Sequence, residues 1–222
     1  MNREDKIKDF LLDYSYNEVS HYKPKKSDIL IINNCSKSKD KSDDLLKAID
    51  RYKGSEIKYI NDIHDITDFD HYIISAKYGL ISSEELIPYY NKTFLDLTHK
   101  ERKMIANKLH IREDLDNLIK RNNYKMIIVI LADVYLDLLE LENPFETDSL
   151  IFHFTVKNCK NIFKGNNIMS MPLNPEITLP QFKKYIRVNL KAGIIKELFN
   201  YYPNLDFMNN PKLIRSFIEN YE

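Results

Sequence analysis

The amino-acid sequence predicts an α/β fold: a doubly wound, mostly parallel sheet of about four to five strands with helices on both faces. Three short apolar runs, at 28–32, 72–75 and 126–131, are rich in isoleucine or valine and nearly continuous. That is how strands buried on both faces of a parallel sheet read. Helical stretches lie between them, and strands alternating with helices call for right-handed crossovers that cover both faces. The chain has 222 residues, 43% of them apolar, enough for one sizeable core.

Taken in order, the pattern predicts a helix over 6–16, packed outside the sheet and joined by a linker at 22–26. The strand at 28–32 follows. Ser42, Asp43 and Asp44 supply N-terminal chemistry for a helix over 42–52, with Gly54 as its stop. After the strand at 72–75, the segment 98–121 carries Ile105, Leu109, Leu115, Leu118 and Ile119, which reads as one long helix or two short ones. The strand at 126–131 runs into an amphipathic helix over 133–141. Later strands are predicted at 150–156 and 167–171, a proline-bounded loop at 172–180, and helices at 181–201 and 211–221. Neither a repeat nor a low-complexity segment interrupts this order, so one domain over 1–222 is expected, with the sheet core at 27–178 and closing helices at 179–222.

Lysine plus arginine equals aspartate plus glutamate at 33 each, and zero net charge argues against a general nucleic-acid coat protein while leaving room for a local basic site. Cys35 and Cys159 make neither a disulfide framework nor a zinc set. The six histidines form no HxxxH or HExxH helix face, and no GxSxG motif occurs. No stretch approaches the roughly 20 apolar residues of a membrane span. The charged start, MNREDKIKDF, lacks the apolar core of a signal peptide. A cytoplasmic location with no membrane partner is expected.

The chemistry-bearing residues cluster where strands end, the place at which open α/β sheets form ligand crevices. After the first strand comes NNCSKSKDK at 33–41. Asn34, Cys35, Ser36, Lys37 and Ser38 combine small hydroxyls, backbone amides and cations, which suit a phosphate. A solvated lysine-rich turn with Cys35 as a small buried residue is the plain alternative, and no Walker glycines are present. After the second strand, SAKYGL at 75–80 offers the Ser75 hydroxyl and the Lys77 cation to one ligand beside Tyr78; a tight strand-to-helix turn with a chance lysine is the plain alternative, and Gly79 permits a positive φ in either. Tyr89 and Tyr90 offer a stacking wall for a base. After the third strand, Asp133 is either a helix cap or a carboxylate facing the crevice. The acidic stretch 61–68 reads as a solvated loop.

"LIINNCSKSK" followed by "YIISAKYGLISSEELIPYYNKTF" resembles a family of small domains. In that family a strand ends in a Cys/Gly-Ser/Gly-Lys-x-Lys loop, and a later strand ends in Ser-Ala-Lys-[Tyr/His]-Gly-Leu. A Pro-Tyr-Asp-x-Thr element follows. "IIVILADVYLDLL" resembles the family's third strand. The family is similar to the domain that follows the transglycosylase-like part of archaeosine synthase, and more distantly to YaaA proteins and uracil-DNA glycosylases. The resemblance covers about 27–140. It implies a uracil-DNA-glycosylase-like α/β domain that handles nucleobases or nucleic acid, with signature positions at Cys35, Ser36, Lys37, Ser75, Lys77, Tyr78, Gly79 and Tyr90. Two departures stand out: Asn91 replaces the expected aspartate, and Asn33 with Asn34 stand where uracil-DNA glycosylases place an acid.

The leading expectation is therefore an enzyme that hydrolyses an N-glycosidic bond through an oxocarbenium-like sugar, with Asp133 and Asn91 as the candidate catalytic residues. Tyr78, Tyr89 and Tyr90 would receive the base. The substrate or partner would be nucleic acid, a nucleotide or a nucleoside, and no metal or organic cofactor is called for. The rival is a non-catalytic nucleic-acid or nucleotide-binding module in stress response or host defence. A nucleoside deoxyribosyltransferase-like enzyme is a third reading.

Overall fold

A computed structural model describes residues 28–139, 144–154, 162–164, 168–171, 182, 184–185 and 189–220. The expected helix at 6–16, its linker, the loop at 172–180 and Cys159 lie outside the described residues. Within them runs one six-stranded sheet built from β1 (Ile29–Asn34), β3 (Asp70–Ser75), β4 (Gly79–Ser82), β6 (Met126–Ile130), β8 (Leu150–Phe154) and β10 (Ile168–Met171), in the order β10-β8-β6-β1-β3-β4. Every pairing in this sheet is parallel except β3 with β4, and a separate parallel pair joins β7 (Phe145–Glu146) to β9 (Phe163–Lys164). β1, β3 and β6 are thus parallel neighbours, with Leu30 opposite Asp70 on one side and Ile127 on the other.

The apolar runs make the middle of the sheet because their side chains alternate between two cores. Leu30, Ile32, Ile127 and Val129 point to one face; Ile29, Ile31, Ile128 and Ile130 point to the other. The first face is covered by α1 (Ala48–Arg51), α3 (His99–Lys108), α4 (Ile111–Asn122) and α5 (Asp133–Leu139). The second is covered by α2 (Ser55–His64), α6 (Leu190–Tyr201) and α7 (Lys212–Asn220). Ile111, Leu115 and Ile119 bury one stripe of α4 at four-residue spacing.

Several expectations are corrected. The segment 42–52 is not a helix: it holds the short strand β2 (Leu46–Lys47), paired with β5 (Leu86–Ile87), and only the single turn α1. Ser42 spends its N–H on Asp40 Oδ1 at 2.9 Å, a side-chain turn that competes with a helix start. Arg51, with no exposed surface, donates to the carbonyls of Asp40, Ser42, Asp44 and Ile87 and so holds the segment extended. Gly54 does not stop a helix but precedes α2, whose Ile60 and Ile63 are fully buried, so half of the acidic stretch 61–68 is helical. SAKYG is a hairpin turn into antiparallel β4 rather than a strand-to-helix turn, and β4 brings the sheet above the expected strand number. Of the two readings of 98–121, the structure has the two short helices, because His110 takes a left-handed conformation, φ 51°, between α3 and α4.

At the later elements, the strands expected at 150–156 and 167–171 occupy 150–154 and 168–171 of the described residues. The helix expected over 181–201 is present at 190–201, while residues 182 and 184–185 stand outside it.

Candidate functional site

The sheet order reverses at β1: the chain passes from β1 to β3 on one side and later returns to β6 on the other. The carboxyl ends of β1 and β6 therefore flank a topological switch point, the position at which open parallel sheets leave room for a ligand. Asn34, at the end of β1, spans the gap by accepting the Ala132 N–H on Oδ1 at 2.9 Å. Asp133 follows at the first position of α5, half-buried, where the helix dipole favours a carboxylate. Glu56 stands in the first turn of α2, and burial, only partly offset by the charge of Lys191, raises its pKa to about 7. Lys191, near the start of α6, donates to the Leu131 carbonyl just past β6. Residues from four elements thus meet on one edge.

The loop after β1 has an inner and an outer part. Inside, Cys35 is 3% exposed, donates its N–H to the Ile74 carbonyl at 3.0 Å and sets its Sγ 3.4 Å from Tyr135 Oη. Outside, Ser36 Oγ accepts the Gly54 N–H at 3.2 Å and donates to the Ser38 carbonyl. A Cβ on Gly54 would lie 2.8 Å from Ser36 Cβ, so only glycine lets the loop and α2 approach this closely. The N–H groups of Ser36, Lys37 and Ser38 have no backbone acceptor among the described residues. Three successive donors at a strand end suit an anion. Lys37 reaches across to Asp96 at 3.1 Å, an exposed pair.

The other signature residues build a buried hub rather than an open wall. Ser75 Oγ accepts the N–H groups of Lys77 and Tyr78, both at 3.2 Å, which leaves its own hydrogen for Tyr90 Oη at 2.8 Å. Tyr90 Oη is also 2.7 Å from Tyr52 Oη. Lys39, 9% exposed, donates to the carbonyls of Ser36 and Lys92 at 2.8 and 3.2 Å, with its Nζ 4.6 Å from the Tyr90 ring centre. Burial lowers the Lys39 pKa, and burial followed by the nearby Cys35 thiol pushes the phenols of Tyr52, Tyr90 and Tyr135 well up. The edge of Tyr78 meets Tyr90 at 5.2 Å between ring centres, and Lys77 Nζ lies 4.8 Å over the Tyr78 ring. The Tyr78 hydroxyl is buried with no hydrogen-bond partner among the described residues. Gly79 takes φ +78° to close the turn.

The hub brings Cys35, Ser75, Tyr78, Gly79 and Tyr90 together behind the loops. Ser36, Lys37 and Ser38 stand on the loop's outer side, and Asn34 and Asp133 at the switch point. Tyr89 and Asn91 are exposed, and Tyr90 between them turns inward at 5% exposure, so the adjacent tyrosines do not form one wall. Four residues escaped the sequence reading: Glu56, Lys191, Arg51 and Tyr52. Gly54-Ser55 ahead of an apolar-periodic run is a helix-start signal that could have found Glu56. Lys191 carries no local signal, because only the packing of α6 on α2 brings it to this edge.

Residues 29–150, just over half of the chain, match a family described as a family of unknown function (DUF6884). No curated protein and no solved structure matches.

Proposed function

We propose that this chain, which belongs to the DUF6884 family, hydrolyses an N-glycosidic bond of a nucleic acid, nucleotide or nucleoside, as a uracil-DNA-glycosylase-like domain. The observation that carries the reading is the set of Asn34, Glu56, Asp133 and Lys191 at the switch point of the sheet. The bond between sugar and base breaks with its electron pair going to the base nitrogen. Glu56, with a pKa of about 7, is protonated in about half of the molecules at neutral pH, and that acid form hands its proton to the nitrogen. Asp133 as a carboxylate offsets the positive charge on the sugar. Water adds to the cationic carbon and returns a proton to Glu56. The free N–H groups at 36–38 hold a phosphate beside the crevice.

The test is base release from a panel of oligonucleotides and nucleosides, followed chromatographically. Asp133→Asn keeps the shape and hydrogen bonds but not the charge. We expect it to retain the fold and ligand affinity and to lose about 10²–10³ in rate. An intact rate in Asp133→Asn removes this carboxylate from the mechanism. One observation favours a non-catalytic binding module instead: exposed Asn91 stands where the resemblance places an acid. Clear binding by the wild type with no base release from any substrate supports that second reading.

A further inference from the structure

Helix α3, HKERKMIANK, packs through one narrow side: Ala106 is its one buried residue, with Ile105 partly buried against the core beside it. Its cations sit on a pattern. Lys100, Lys103, Met104, Asn107 and Lys108 recur at three- and four-residue intervals and share one face, about 12 Å long at 1.5 Å per residue, opposite Ala106. Met104 on that face is 65% exposed. From Lys92 to Lys108 there are five basic residues against two acidic ones, in a chain of zero net charge. Both acids are engaged elsewhere. Asp96 pairs with Lys37, and Glu101 Oε2 accepts the Thr98 N–H and hydroxyl at 2.8 and 2.7 Å in a capping box. Neither Lys92 nor Lys100, Lys103 or Lys108 makes an ion pair among the described residues.

The stripe begins at the lip of the site. The single turn Phe94–Asp96 before α3 is tied to the loop after β1 by Lys37, and Lys39 of that loop holds the Lys92 carbonyl. A surface of unpaired cations broken by one exposed apolar side chain, leading away from a phosphate-suited loop, complements a polyanion whose bases are accessible. We infer that the α3 stripe is the docking surface for the phosphodiester backbone of a single-stranded nucleic acid, so that the substrate of the proposed reaction is a polymer rather than a free nucleoside. This rests on the glycosidase reading for the nature of the substrate, but the surface can be tested separately.

The experiment compares wild type with a Lys100→Gln, Lys103→Gln, Lys108→Gln variant. A labelled single-stranded oligonucleotide of about 20 nucleotides is titrated at several salt concentrations. The variant is expected to bind at least about tenfold more weakly at low salt, and its slope of log affinity against log salt to fall by about 2, the share of three phosphate contacts. Circular dichroism should not change, and neither should the slower base release from a mononucleoside too short to reach the stripe, because Glu56 and Asp133 are untouched. An unchanged affinity and slope overturn the inference, as does a wild type that binds no oligonucleotide. Base release from nucleosides by such a wild type would leave the proposed activity standing. A stripe that instead captures only acidic polypeptide, with no oligonucleotide binding, also overturns it.

Discussion

Arg51 shows at the scale of a single residue how a buried charge shapes a loop. It donates to four carbonyls and is wholly enclosed, so its removal would take the donor from the buried Ile87 carbonyl and from the partly buried carbonyls of Asp40, Ser42 and Asp44. Arg51→Met should cost about 3 kcal/mol in urea-induced unfolding, the range for losing charge-assisted hydrogen bonds and stranding their acceptors. A loss below about 0.5 kcal/mol would mean the 40–47 segment rearranges to find other donors. Glu56 makes the complementary case, a half-buried group whose value is its proton. Burial outweighs the pull of Lys191 and lifts its pKa to about 7. In the proposed reaction the acid form is the active one, so the rate should fall as pH rises through about 7. Glu56→Gln should remove that limb from the pH profile, and a limb that persists would belong to another group.

At the scale of elements, the β3–β4 hairpin depends on Gly79. Its φ of +78° is one that side chains rarely adopt, and an added Cβ would lie 2.7 Å from the Leu109 carbonyl at the end of α3. Gly79→Ala should therefore destabilise the fold by about 1–3 kcal/mol, read from thermal or denaturant midpoints. The hub of Ser75, Tyr90 and Tyr52 should loosen with it, since the same turn aims the N–H groups of Lys77 and Tyr78 at Ser75 Oγ. A variant as stable as the parent would show that the turn can relax away from α3. The capping box of α3 works in the opposite sense: it secures the start of a helix that packs on the core only through Ala106 and Ile105, and so does not depend on the helix's lysines.

At the scale of the whole molecule, folding is linked to pH through His71. It is 3% exposed, pairs its Nε2 with Asn33 Oδ1 at 2.8 Å, and burial depresses its pKa to about 3. Since that value lies below the ordinary 6.5 of the unfolded chain, the unfolded state binds the proton first on acidification. The stability this neutral histidine permits is complete above about pH 6.5 and is lost as pH falls toward 3. His64, also depressed by burial and stacked on Phe69 beside it, acts in the same direction. Between pH 7 and 5 the loss attributable to His71 should be on the order of 2 kcal/mol, measured as urea midpoints, and His71→Gln should flatten that slope. A slope unchanged by the substitution would assign the effect to other groups.

The sequence by itself determined the sheet's interior, because strands buried on both faces must be apolar without a break. That constraint is local and is written into ILII, YIIS and MIIVI. The same reading located the loops at the strand ends, since the hydroxyl and lysine residues there cannot continue such runs. It misjudged 42–52, where helix-start chemistry is present but Arg51 finds its partners only in the folded loop and in β5. It also took Tyr89 and Tyr90 as a pair. One faces solvent and the other ends in a hydrogen-bond chain with Ser75 and Tyr52, a distinction set by residues that are distant in the chain. Tertiary structure alone decided that Glu56 and Lys191 face each other at the switch point. Glu56 looks like an ordinary surface acid in sequence, and its raised pKa exists only where α2 and α6 close over the end of β6 and partly desolvate its carboxylate.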